Sequence, residues 1–179
     1  MTYVKASVPK LPGGAAPIPK KDRIHIFDVD DVATDVTREH GVTNIASGNL
    51  TLSPGAKGLS IQVARASINA GYTNEGEVDA KTFKDKVEFD YPGDSIALNN
   101  FIEAYANKGV IIIVETCEGN TKIYGRVCNP MILTAEPTDS NETVKTHLSF
   151  EQEMGDAFLP RVYGGTIPDV AADASSEGV

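Results

Sequence analysis

One stretch of this 179-residue chain holds residues suited to chemistry, Ile24-His25-Ile26-Phe27-Asp28-Val29-Asp30-Asp31-Val32. An apolar strand running into Asp-x-Asp could present a nucleophilic carboxylate on magnesium. Such a site needs a parallel sheet and a helix N-terminus just after the motif to cradle phosphate. After Asp31 the chain runs "VATDVTREHGVTNIASGNL", rich in Thr, Val, Gly and Asn and without an amphipathic helix. The expectation is therefore a solvated turn, in which Asp28, Asp30 and Asp31 keep their mutual repulsion in water.

The same motif looks like the first motif of haloacid dehalogenase-like phosphotransferases, but the parts that should accompany it are missing. "PGDSIALNN" offers Gly93 and Asp94, and Asp94 is better used as a helix cap. No Ser/Thr and Lys pair stands at the ends of alternating βα units. "GNLTLSPGAKG" lacks the Gly-Lys-Ser/Thr ending of a phosphate loop and has Pro54 in its middle, so it reads as turn chemistry. "NET" at 141 to 143 reads as a polar loop. His25, His40 and His147 are scattered, and Cys117 and Cys128 lack Cys-x-x-Cys spacing, which leaves two free thiols. No catalytic, cofactor-binding or metal-ligating residue is expected, and no cofactor.

Sixteen Lys and Arg against 25 Asp and Glu give a formal charge of -9, which disfavours non-specific affinity for nucleic acid. No apolar run approaches the roughly 20 residues of a membrane-spanning helix. "MTYVKASVPKLPGG" has no charged region followed by an apolar core, so no secretory signal and no membrane anchor are expected. The chain is expected to stay in the cytoplasm where it is made.

The elements around these residues have a dominant period of two. "DRIHIF", "GLSIQVARASI" and "KTFKDKVEFDY" alternate, the last with Phe83, Asp85, Val87 and Phe89 on one face. "SIALNNFIEAYANKG" instead places Leu98, Phe101, Ile102 and Tyr105 at helical spacing, with Asp94 or Ser95 as N-cap and Gly109 past its end. "VIIIVETC", "EGNT" and "KIYGRV" form a hairpin whose first arm is continuously apolar, as a doubly covered central strand requires. The expected register sets Cys117 near Lys122 and Cys128 opposite Ile111. "PMILTAE" is a further strand, "PTDSNE" a loop, and "TVKTHLSFEQE" a closing strand with Val144, Thr146, Leu148 and Phe150 inward. This order implies mostly antiparallel pairing. The expected fold is mainly β with one α-helix, an antiparallel β-sandwich or flattened barrel with a flanking helix, spanning 22–168. A Pro/Gly-rich flexible arm, 1–21, precedes it and a flexible acidic tail, 169–179, closes the chain.

From residue 80 to 165 the chain resembles the tail-tube-like structural proteins of phages and prophages of Bacteroidetes. The similarity lies in an extended strand ending at Pro92-Gly93, a short helix over Ser95 to Asn107, an acidic-Cys-Gly-Asn hairpin tip at Glu115 to Asn120, Tyr124-Gly125, Cys128 to Pro130, and a last strand at Leu148 to Glu151. The resemblance implies a virion protein of the phage tail, made in the host cytoplasm. It implies self-assembly into stacked homohexameric rings, contact with other tail proteins, and an acidic lumen that DNA crosses as a non-specific passenger. A monomeric ligand- or protein-binding β-sandwich module of a gut bacterium is the alternative, although no Trp and only six Tyr and six Phe count against sugar recognition. A phosphotransferase using Asp28 and Asp30 ranks below both.

Overall fold

The computed structural model describes residues 7–8, 18–38, 44–140 and 142–173. The elements are β1 Lys20–Asp28, β2 Val32–Thr34, β3 Ile45–Ala46, β4 Thr51–Leu52, β5 Leu59–Gln62, β6 Asn69–Glu75, β7 Thr82–Pro92, α1 Ile96–Tyr105, β8 Gly109–Thr116, β9 Thr121–Tyr124, β10 Met131–Asp139, β11 Val144–Gln152 and β12 Arg161–Tyr163. The fold is mainly β with a single α-helix among the described residues, as expected, and its large sheet is mixed and not closed into a barrel.

β8 is the hinge of the architecture. Along one edge it pairs with β1; along the other it pairs with β10 at Gly109 and Val110, then with β9 from Ile112 to Glu115. That change of partner splits the ten-stranded sheet into two layers, β5-β1-β8-β9-β12-β3 and β6-β7-β11-β10. Between them lies the larger core, with Ile24, Ile26, Val110, Ile112 and Val114 from the first layer against Val87, Phe89, Leu133, Leu148 and Phe150 from the second. The Phe89 and Phe150 rings stack at 5.9 Å. A second cluster covers the outer face of the first layer, where Phe27, Ile111, Ile113 and Ile123 meet Val36, Leu50 and Tyr163. The unbroken apolar run of β8 is thus buried on both faces.

α1 closes the open side of the sandwich. The Ser95 side chain accepts a hydrogen bond from the Leu98 N–H at 3.1 Å and caps the helix, while Asp94 takes the Asn99 side-chain amide. Leu98 is buried, and Phe101, Ile102 and Tyr105 pack against the core at the expected spacing.

Three expectations of detail are corrected. Lys122 pairs with Val114, not near Cys117, because Cys117 belongs to the tight turn closed by Thr116 and Asn120; Cys128 lies beyond the end of β9 and opposes no residue of β8. "PTD" is not loop: Pro137, Thr138 and Asp139 continue β10 in register with β11, and Pro137 is tolerated because β10 has no other strand beside it there. Val144 is 44% exposed, since it starts β11 beyond the reach of the core, whereas Thr146, Leu148 and Phe150 point inward as expected. The first strand takes in Lys20 and Lys21 from the segment assigned to the arm. At the other end, Gly58 brackets Val170 through Gly58 N–H to Asp169 C=O and Ala171 N–H to Gly58 C=O. The rest of the arm, apart from residues 7–8 and 18–19, and the tail beyond Asp173 lie outside the described residues.

Candidate functional site

The Asp-x-Asp residues occupy the end of β1 and a 3-10 turn, Val29–Asp31. Asp30 is exposed, in keeping with a solvated turn, but Asp28 is not: it is 6% exposed. One Asp28 oxygen accepts the Asp30 N–H and the other pairs with Lys108 Nζ at 2.5 Å. Burial of Asp28 corrects the solvated-turn expectation for that residue, and the lysine after α1 is the compensating charge that sequence spacing does not reveal. β1 runs antiparallel to both β5 and β8, and the chain continues from Asp31 into β2.

The other singled-out residues are dispersed. His25 Nε2 lies 3.1 Å from Glu115, which also pairs with Lys21 at 2.6 Å. His147 is on the far layer, and His40 and Asn141 of the N-E-T triplet fall outside the described residues. Cys117 and Cys128 are exposed and unbridged. In the "SPGA" turn the Ala56 N–H reaches the Ser53 carbonyl at 3.0 Å, and Gly55 takes φ +85°, the conformation that favours glycine after proline. Among the described residues no group of three or more His, Cys, Asp or Glu is placed to hold a metal ion.

A buried ionic cluster does assemble at one end of the sandwich. Alternation along β7 points Asp85 inward with Val87 and Phe89, and a carboxylate there needs partners. Its backbone N–H goes to Gln152 Oε1, and its Oδ2 accepts the Gly125 N–H at 2.9 Å. Gly125 turns the chain after β9 at φ +71°, where an added Cβ would lie 2.8 Å from Met131. The Gly125 carbonyl takes Arg38 Nη2, Arg38 pairs with Asp35, and Arg126 pairs with Asp156 at 2.6 Å. Arg126 and Arg161 both lie over the Phe158 ring. Asp85 Oδ1 is buried with no hydrogen-bond partner among the described residues. Burial pushes the Asp85 carboxyl up to about 6, against the pull of the Gly125 N–H and the Arg38 charge. The inward Asp on an alternating strand was the signal in the sequence for this cluster. Its arginines, drawn from three distant segments, carried none.

The second layer offers a surface of another kind. Its outward residues, among them Lys84, Lys86, Glu88 and Asp90 on β7 and Lys145, His147 and Glu151 on β11, belong to neither hydrophobic cluster. They pair with one another: Lys84 with Glu151 at 2.8 Å, Lys86 with Glu88 at 2.9 Å, and Asp90 with both Lys145 and His147. Lys86, helped by Asn69, holds the Glu88 carboxyl below its ordinary value, and Lys145 with His147 does the same for Asp90. This layer is also open at both sides. Among the described residues β6 pairs only with β7, and β10 has no second strand beside it beyond Ile132. The free stretches Tyr72–Glu75 and Glu136–Asp139 are solvent-exposed.

Comparison with protein-family models, with curated proteins and with solved structures returns no match. The geometry therefore carries the functional argument. Among the described residues no helix is long and apolar enough to cross a membrane.

Proposed function

We propose that this chain is a self-assembling structural protein of a phage tail tube or a related injection apparatus, forming stacked rings around a lumen that DNA crosses. The observation that carries the reading is the pair of bare edges, β6 and β10, on opposite sides of one four-stranded layer. An exposed edge is a template for another strand; Pro137 takes one donor from the β10 edge, and the β6 edge has no such break. Two different edges on opposite sides make a head-to-tail contact, which closes into a ring when the rotation per copy allows. The layer's outer face then becomes one wall of the ring. Its lysines are each held by a carboxylate, so it presents few free cations to a passing phosphate backbone. Ring number six and the tail itself come from the family resemblance.

Size-exclusion chromatography with negative-stain imaging of the full chain tests this reading, with rings or tubes expected as concentration rises. Proline at Tyr72 and, separately, at Thr73 sharpens it, because neighbouring residues of a strand send their N–H groups to opposite edges. One variant should lose a bond to β7 and stability; the other should fold normally and fail to assemble. A full-length protein that stays monomeric at high concentration, or a well-folded proline variant that still forms rings, overturns the proposal. Persistent monomer would favour the binding-module reading.

A further inference from the structure

A groove of about 730 Å³ runs beside β5, between that strand, the start of α1 and the segment Ala171–Asp173. Its floor is apolar, with Tyr91, Leu98 and Phe101. One wall is an unfinished strand edge. The Val63 N–H bonds Asp22 on the β1 side, and the Gly58 backbone bonds Asp169 and Ala171 on the other. Alternation along the strand then turns the N–H and C=O groups of Ser60 and Gln62 toward the groove. Among the described residues β5 pairs with no strand but β1, and the C-terminal segment leaves the edge after Ala171, where Asp173 is drawn off by the two terminal guanidinium nitrogens of Arg23 at 2.8 and 2.7 Å. The site thus has an apolar floor and two rungs left unfilled among the described residues.

We infer that this groove receives residues 3–8 of a second copy's N-terminal segment as an added β-strand. Three features of the chain select that occupant. Val4, Ala6 and Val8 alternate with Lys5 and Ser7 and are stopped by Pro9, the pattern of a half-buried strand. Val8 is 94% exposed in its own protomer. Residues 1–19 hold two lysines, Lys5 and Lys10, and no carboxylate, leaving 14 basic against 25 acidic residues in the remainder, so the segment and the body attract each other. The chain enters β1 beside the end of β8, where the Pro19 carbonyl accepts the Cys117 N–H at 2.8 Å, and the donor is a neighbour on the assembly reading. Strand addition supplies affinity through main-chain hydrogen bonds and specificity through the side chains that reach the floor.

This inference rests on the assembly reading for its setting but is tested apart from it. Full-length protein carrying a photo-cross-linker in a Val8→p-benzoylphenylalanine substitution is mixed from isotopically light and heavy preparations, irradiated, and mapped by mass spectrometry. Light-to-heavy cross-links from position 8 to 59–64 or 97–101 are expected. Gln62→Pro removes an N–H that faces the groove and no backbone bond to β1, losing there only the exposed side-chain bond from Gln62 Nε2 to Asp22, so it should cut their yield at least tenfold while the circular dichroism spectrum is unchanged. Cross-links confined to one copy, cross-links to other surfaces, or a yield indifferent to Gln62→Pro overturn the inference. Rings that form with none of these cross-links sink it and leave the ring proposal standing. The expected cross-links in a protein that forms no rings sustain it and sink the ring proposal.

Discussion

Within one sheet, β8 and the two bare strands β6 and β10 are treated in opposite ways. β8 has partners along both edges and a hydrophobic cluster on each face, with Val110, Ile111, Ile112 and Ile113 fully buried. β6 has one partner and mostly exposed residues, and β10 beyond Ile132 is the same apart from its inward side chains. The sequence composition mirrors that division: a run of Ile and Val where both faces must be dry, and Thr, Asn, Glu and Pro where one edge and one face meet water. Burial is concentrated in the first region, and the second leaves backbone donors and acceptors facing solvent.

The largest expected effect breaks this contrast at its strong end. Ile112→Ala opens a cavity in the layer between the sheets and should cost about 2–5 kcal/mol in urea denaturation, a large part of a typical domain's stability. Thr73→Ala on the bare strand should stay within about 0.5 kcal/mol. Equal losses at the two positions would mean that β6 is as much a part of the folding unit as β8.

Next in size is Asp85, an inward charge on the strand that joins the dry core to the open layer. Its folded-state carboxyl sits at about 6 against an ordinary value of 3.8, so the folded protein binds the proton more tightly than the unfolded chain. The group's contribution is fully present below about pH 4 and is lost as pH rises through about 6. At about 1.4 kcal/mol per unit the change is roughly 3 kcal/mol. Asp85→Asn removes that titration, so the stability of the wild type relative to the variant should fall by this amount between pH 4 and pH 7. A flat difference would show that the cluster accommodates the ionised form without cost.

Much of this architecture was legible because periodicity reports burial. The continuous run in β8, the alternation in β7 and β11, and the helical spacing of Leu98, Phe101, Ile102 and Tyr105 each named the face that became core. Register was not legible in the β8-β9 hairpin, since it depends on how tightly Thr116 and Asn120 close the turn and on the point where Gly125 leaves the strand. The extent of β10 was misjudged because Pro137 reads as a breaker unless the strand is known to be an edge. The candidate surface was harder still: which edges stay bare is a property of sheet order, and no residue pattern announces that β8 changes partner from β10 to β9.

Asp28 gives a smaller effect, at the point where β1 meets the start of β8. Its carboxylate is buried while Lys108 is half exposed, so Asp28→Asn keeps a capping side chain but dissolves the ion pair. The expected loss is about 1 kcal/mol, and Asp30→Asn, on an exposed side chain, should be within about 0.5 kcal/mol. A magnesium-dependent phosphatase activity abolished by Asp28→Asn would reverse the reading of this motif.

The smallest change in stability is expected on the open face, where the functional consequence should be the most specific. Glu88 and Asp90 are held below their ordinary values by Lys86 and Lys145 respectively, so their contribution is present above the ordinary carboxylate range and fades as pH falls through the folded values, the opposite of Asp85. Pairs this exposed to water contribute less than about 1 kcal/mol each, and Glu88→Gln with Asp90→Asn should leave the melting curve at neutral pH almost unmoved. The same double substitution releases Lys86, Lys145 and His147 from their carboxylates. A wall that let a phosphate backbone pass would then hold it. Fluorescence anisotropy with labelled duplex DNA at low salt should show no binding by the wild type and measurable binding by the variant, falling steeply as salt is added. Wild-type protein that binds DNA as tightly as the variant would show that pairing on this face does not serve passage, and would sever the open layer from the role proposed for it.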